Sequence, residues 1–117
     1  MGDWMKLSLV VPCYNEEENV AAFEAAVLKA FVGCGFDYEV VYINDGSKDG
    51  TMAALRELFA AQRCPTKVVN FTRNFGKESG IYAGLQHADG DYISIIDADL
   101  QLSLIHISEP TRHLRIS

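Results

Sequence analysis

Residues 92–101 read YISIIDADLQ, an apolar and largely β-branched run that ends in two carboxylates one residue apart, Asp97 and Asp99, and then the carboxamide of Gln101. Asp89-Gly90-Asp91 supplies a turn just before it, so the stretch is expected to be a buried strand of a parallel sheet. Its polar chemistry then lies at the C-terminal end, which faces the ligand crevice in open α/β sheets. Adjacent side chains on a strand point to opposite faces, so Asp97 and Asp99 are expected to point the same way. Two carboxylates held that close repel unless a cation lies between them. Mg²⁺ or Mn²⁺ suits that role, because it takes one or two carboxylates with phosphate oxygens and water; Gln101 adds a neutral oxygen. For so short a motif taken alone, the plainer reading of a solvated strand end with an Asp-rich turn outweighs the metal site.

Working outward, the same scheme recurs three times. Leu7–Val11 reads as a first strand closed by Pro12, and Asn15 followed by Glu16, Glu17 and Glu18 reads as the cap and acidic first turn of a helix. Val20, Phe23, Val27 and Phe31 continue that helix at its natural spacing, and Gly33 and Gly35 stop it. A second strand, Tyr38–Ile43, runs into Asn44-Asp45-Gly46-Ser47. Asp49 is placed to cap a second helix with Met52, Leu55, Leu58 and Phe59 as its apolar stripe, closed by Cys64-Pro65. Lys67–Phe71 reads as a third strand, and a helix from about Glu78 to His87 presents Ile81 and Leu85 on one face. Four strands alternating with three helices predict a parallel sheet with right-handed crossovers and polar strand ends gathered on one edge.

The composition narrows the function. With 117 residues and 49% hydrophobic content the chain can bury a core, and a formal charge of -6 with a pI near 4.9 argues against a nucleic-acid binder, which needs clustered Lys and Arg. Cys13, Cys34 and Cys64 show no CxxC spacing, which favours neither a zinc site nor a disulfide framework and fits a reducing compartment. No apolar run approaches the ~18–20 residues that cross a bilayer, and MGDWMK lacks a signal-peptide pattern, so the chain as written is expected to be soluble. Residues 102–117, LSLIHISEPTRHLRIS, depart from the preceding pattern, and Leu102–Arg112 resembles the conceptual translation of a transposase-type sequencing adapter. Residues 1–101 are therefore expected to form the native part and 102–117 a non-native tail, whose His106 and His113 are not ligands.

Each remaining candidate carries two readings. Asp45 sits in ordinary turn-and-cap chemistry, or it accepts a hydrogen bond from a nucleotide base. Asn15 merely caps, or Tyr14 stacks beside a base while Glu16 takes a polar edge. Arg73, Asn74 and Lys77 form a solvated loop, or Arg73 or Lys77 contacts phosphates while Gly76 permits close backbone approach.

Taken together, VVPCYNEEENV (Val10–Val20), YINDGSKDGT (Tyr42–Thr51), NFGKESGIYAGLQHADGDY (Asn74–Tyr92) and DADLQ (Asp97–Gln101) resemble the inverting family 2 glycosyltransferases of the GT-A fold, and within them the polyprenyl-phosphate sugar transferases such as dolichyl-phosphate mannose synthases and bactoprenol glucosyltransferases. The resemblance covers nearly all of residues 6–101. It implies a Rossmann-like nucleotide-binding half in which Pro12, Tyr14, Glu16, Ile43 and Asp45 form the base and ribose pocket. Asp97, Ala98, Asp99 and Gln101 would hold the diphosphate, with Asp97, Asp99 and Gln101 on Mg²⁺ or Mn²⁺. Asn44 departs from the acidic residue common at its position. The implied donor is a UDP- or GDP-sugar and the implied acceptor a polyprenyl phosphate, met on the cytoplasmic side of a membrane. Family members continue past DADLQ into an acceptor half holding the catalytic residues, so this chain is expected to bind nucleotide and not to turn over alone. Competing readings are a non-catalytic acidic-pocket module of the receiver type and a fragment without function. A receiver needs a lone phosphorylatable Asp and a later strand-end lysine, where this chain has DADLQ. A nucleotidyltransferase needs a glycine-rich basic loop where VVPCYNEEE is acidic.

Overall fold

The computed structural model describes residues 5–98, a four-stranded sheet with three helices. Along the chain come β1 (Lys6–Cys13), α1 (Val20–Ala30), β2 (Asp37–Asp45), α2 (Thr51–Ala61), β3 (Thr66–Phe71), α3 (Lys77–His87) and β4 (Tyr92–Ile95). The sheet order is β3-β2-β1-β4 and all neighbouring pairs are parallel, as the alternating pattern predicts. Strands β1 to β3 are laid down in one direction. Helix α3 then carries the chain back across the sheet to β4, on the far side of β1. The winding reverses between β1 and β4, which makes their C-terminal ends the natural ligand crevice.

The pleat divides the core into two. Leu7, Leu9, Val11 and Cys13 of β1, with Val40 and Tyr42 of β2, face α1 and α2 and pack on Val20, Phe23, Val27, Phe31, Leu55 and Leu58. Val10, Val41, Ile43 and Ile93 face the other way, where α3 covers them. The expected stripe of α1 is buried as predicted. In α2, Leu55 and Leu58 are buried but Phe59 is 51% exposed, because it lies a step too far around the helix to reach the sheet.

Four further expectations are corrected. Strand β1 does not stop at Pro12 but pairs through Cys13. The even-numbered residues of β1 turn their backbone toward β4, as the Ile96 N–H to Val10 O bond at 3.0 Å shows, and the β1–β4 register ends at Val10. The N–H that Pro12 lacks is therefore missing where no ladder needs it. Helix α1 begins at Val20, not after Asn15, and has no acid in its first turn. Helix α3 buries Gly80, Ala83 and Gly84, with Ile81 and Leu85 only half buried beside them. A side-chain carbon at Gly84 would fall on Val10 Cγ1 and lie 2.9 Å from Ile43 Cδ1, so glycine sets how closely α3 approaches the sheet. Finally, β4 ends at Ile95, two residues before Asp97. Asp97 is placed by the segment leaving the strand, and the pleat argument for like-facing carboxylates does not apply.

The N-terminal edge of the sheet is closed by charge. Glu39, 2% exposed, accepts from Ser8 Oγ and Asp89 N–H at 2.7 Å each, and its other oxygen lies 3.2 Å from Lys67 Nζ. Burial alone would raise the Glu39 pKa, but these donors outweigh it and hold the carboxyl below its usual range. Lys67 also donates to the His87 carbonyl at 2.8 Å, which ties the end of α3 to the sheet.

Candidate functional site

Three connecting loops meet beyond the C-terminal ends of the strands, and polar side chains bind them together. Asn15, with φ 55°, donates its N–H to Ser47 Oγ at 2.9 Å and accepts from Lys48 N–H at 2.9 Å. Glu17 accepts from the Gly50 N–H at 2.8 Å, at the start of α2, and Asp49 accepts from the Thr51 N–H at 2.9 Å. The residues that the sequence suggests for the start of α1 thus brace the start of α2. Gly46, at φ 70°, passes so close to Arg73 and Asn74 that no side chain fits between the loops. Asn44 donates to Asn70 Oδ1 at 2.8 Å and accepts from the Ser47 N–H at 3.2 Å, a double role that an acid at this position could not fill.

Asp45, 4% exposed at the end of β2, holds the β3–α3 loop. Its carboxylate accepts from the Phe75 N–H at 2.8 Å, the Gly76 N–H at 3.1 Å and Asn74 Nδ2 at 3.0 Å, and Asn74 Nδ2 also reaches the Asp45 carbonyl at 3.0 Å. Three of roughly four acceptor positions are thereby occupied, leaving one.

Between these loops and the end of β4 lies a cleft of about 410 Å³ lined by Pro12, Cys13, Tyr14, Glu16, Asp45, Asn74, Gly76, Lys77 and Asp97. Lys77, the first residue of α3, places Nζ 2.8 Å from Asp97 Oδ1 across it. Among the described residues, Lys77 is the one cation in a lining that includes three carboxylates. The Cys13 thiol is pushed up to about 12, first by burial and then by the charges of Glu16 and Asp97, so it is a neutral wall and not a nucleophile.

Of the residues singled out from the sequence, the structure therefore brings together Pro12, Tyr14, Glu16, Asp45, Lys77 and Asp97. Ile43 does not reach the cleft: its side chain is fully buried under α3. Arg73 lies outside the lining, with its guanidinium 4.6 Å from the centre of the Phe75 ring. Ala98 is 3% exposed and packs into the α1–α2 core. Asp99 and Gln101 lie outside the described residues. Cys13 was missed as a lining residue, and its only signal is its place beside Pro12 at a strand end.

Among the described residues no group of three His, Cys, Asp or Glu gathers as a metal cage. Asp97 still fits a shared site: it is a hard oxygen donor, 40% exposed, with Lys77 on only one of its two oxygens. That is the donor chemistry of Mg²⁺ or Mn²⁺ held jointly with phosphates and water.

Comparison with known proteins agrees with this architecture. The chain is 48% identical over 98 residues to a prophage bactoprenol glucosyl transferase homolog of Escherichia coli K12, covering 83% of this chain and 31% of that protein. It is 40% identical over 97 residues to an undecaprenyl-phosphate 4-deoxy-4-formamido-L-arabinose transferase of Edwardsiella ictaluri, covering 81% and 29%. The chain thus spans about a third of the length of these relatives. Among solved structures, the mannosyltransferase PcManGT of Pyrobaculum calidifontis, in complex with GDP-Man and Mn²⁺, superposes with a TM-score of 0.72 at 26% identity, over 82% of this chain and 28% of that one. S. aureus TarS 1-349 in complex with UDP does so with a TM-score of 0.69 at 26% identity, over 81% and 28%. The four-stranded parallel sheet with three helices is the fold these GT-A glycosyltransferases share with this chain. Residues 8–109 match the profile of glycosyl transferase family 2, and the chain belongs to that family.

Proposed function

We propose that this chain supplies the donor half of an enzyme that transfers a sugar from a UDP- or GDP-sugar to a polyprenyl phosphate. The observation that carries the reading is the cleft at the β1/β4 reversal, where Tyr14, Glu16, Asp45, Lys77 and Asp97 converge from three loops and a strand end. The relatives' bactoprenol and undecaprenyl-phosphate acceptors support the acceptor class, and the GDP-Man and UDP complexes of the structural neighbours support the donor class. In this reading Tyr14 stacks on the base beside Pro12, Glu16 takes a polar edge, and the remaining acceptor position of Asp45 faces the nucleotide. Asp97, with Asp99 and Gln101, would hold Mg²⁺ or Mn²⁺ beside the diphosphate. When bound, the metal neutralises the charge that develops on the leaving diphosphate. The acceptor phosphate is already an anion and needs little deprotonation, so the protein's contribution is positioning and electrostatics more than a strong base.

We assign these residues donor binding, give residues 102–117 no part in it, and place the whole enzyme at the cytoplasmic face of a membrane because its acceptor is a lipid. Among the described residues no helix is long and apolar enough to cross a membrane. The test is calorimetry of UDP and GDP with Mn²⁺ on the chain and on its Asp97→Asn and Asp99→Asn variants. Metal-dependent binding of one nucleotide, lost in both variants, is the expected result. Metal-independent binding, or binding untouched by both substitutions, would exclude the proposed metal role. A turnover assay with nucleotide sugars and a polyprenyl phosphate should give no transfer by this chain alone.

A further inference from the structure

Among the described residues, Lys77–Asp97 is the ion pair in which neither partner is also tied to a buried group. Lys6, Lys67 and Arg63 meet carboxylates on residues that are 2–3% exposed, Glu39 and Glu24, and serve the scaffold; the exposed Asp89 is a second partner of the Lys67 that Glu39 already anchors. Lys77 and Asp97 are 58% and 40% exposed and close no core. Such a pair contributes little to stability and is easily exchanged. Nor does helix geometry explain the lysine. It stands at the first position of α3, the positive end of the dipole, where a cation is disfavoured.

Both side chains nevertheless spring from fixed backbone. The loop entering Lys77 is held by Asp45 through the Phe75 and Gly76 N–H groups, at 2.8 and 3.1 Å. The segment entering Asp97 is held by the Ile96 N–H on the Val10 carbonyl at 3.0 Å. An ammonium is thus presented, from one wall of the cleft, to the carboxylate that the opposite wall offers. Of the described residues lining the cleft, Lys77 is the only cation.

We propose that Lys77 is an exchangeable counter-ion: it occupies Asp97 in the empty site, competes with a divalent cation for that carboxylate, and turns to the donor's phosphates when metal and nucleoside diphosphate enter together. This rests on the donor-binding reading above and deepens it. The ammonium disfavours a metal binding alone, because a second cation would crowd the same oxygen. A diphosphate relieves the conflict by giving the flexible lysine an anion of its own. Metal and nucleotide therefore bind cooperatively, and by linkage each strengthens the other by the same factor. Lys77 acts as a donor-phosphate contact and a gate on metal occupancy.

The test is a binding cycle by calorimetry on the 117-residue chain, with Mn²⁺ alone, UDP or GDP alone, and each nucleotide at saturating Mn²⁺. In the wild type, Mn²⁺ should strengthen nucleotide binding by at least about tenfold, within the usual range of such couplings. Lys77→Met keeps the apolar stem and loses the charge. It should bind Mn²⁺ alone several-fold more tightly and the nucleotide with Mn²⁺ several-fold more weakly, two changes of opposite sign. Lys77→Arg should retain most of the coupling. Unaltered thermal melting of both variants, expected for an exposed pair, excludes misfolding as the cause. If Lys77→Met leaves both affinities unchanged, or moves both in one direction, the inference is wrong while donor binding stands. If the wild type binds no nucleotide with Mn²⁺, the proposed function fails and this inference with it.

Discussion

Replacing Asp45 by Asn tests whether this carboxylate is the clamp that shapes the cleft. The substitution keeps the shape and removes the charge, so its cost can be worked from the bonds in place. In one orientation the new NH₂ group replaces Oδ2 and confronts two donors, the Gly76 N–H and Asn74 Nδ2. Asn74 cannot turn over to help, because its Nδ2 also serves the Asp45 carbonyl at 3.0 Å. In the other orientation the NH₂ replaces Oδ1 and confronts only the Phe75 N–H, now 2.8 Å from its acceptor. This second arrangement is the cheaper one. It loses one charge-assisted bond of roughly 1.5–3 kcal/mol and reduces two others to neutral bonds worth about 1 kcal/mol each. Discounted for the exposed donors, the net loss is ~2–4 kcal/mol. Urea unfolding should register it as a lower midpoint at constant slope. Amide exchange should report a selective loss of protection at Phe75 and Gly76, because the loop opens before the sheet does. A change within about 0.5 kcal/mol, the range of an ordinary surface site, with unchanged exchange at both amides, would refute the clamp.

Three more predictions follow from the packing and the charges. Gly84→Ala should gain about 1 kcal/mol of helix propensity and lose more than that to collision with Val10 and Ile43, for a net loss of ~1–2 kcal/mol by urea unfolding; a stabilised variant would reject the close approach of α3. Glu39→Gln should cost ~2–3 kcal/mol near neutral pH, because Lys67 would then face a neutral amide. Its folded carboxyl lies below the ordinary 4.5, so the wild-type advantage is fully present above that value and disappears as pH falls through the lowered folded value; urea midpoints at a series of pH values should show the gap closing only in acid. Cys13, buried and with its thiol pushed up to about 12, should resist iodoacetamide at pH 8 in the folded chain, while the half-buried Cys34 reacts first; equal rates before unfolding would contradict the assignment.

What could be read from the sequence follows from the range of the interactions involved. The stripe Val20, Phe23, Val27 and Phe31 was legible because helical spacing and burial are written in neighbouring residues. The alternation of strands and helices was legible for the same reason, and with it the edge that bears the cleft. Asn15 and Glu17 misled because a local capping signal competed with partners more than thirty residues away, at Ser47, Lys48 and Gly50, which no local pattern announces. The contact face of α3 escaped notice because Gly80, Ala83 and Gly84 pack by being small, and a search for apolar side chains passes over them. The end of β4 was misplaced because its length is set by β1, whose register with it stops at Val10, and not by the apolar run that continues to Ile96. Asp45 was picked out for its position at a strand end, while its three donors arrive from a loop thirty residues later.

The central claim is that donor nucleotide and divalent cation share the cleft at the β1/β4 reversal. Paramagnetic broadening of assigned amide signals tests it most directly, with Mn²⁺ added to the chain in the presence of UDP or GDP. The account predicts selective broadening at Tyr14, Gly76, Lys77 and Asp97, with Lys6, Glu39 and Gly90 at the opposite edge of the sheet left sharp. Broadening that is strongest at that opposite edge, or uniform across the acidic surface, would contradict it.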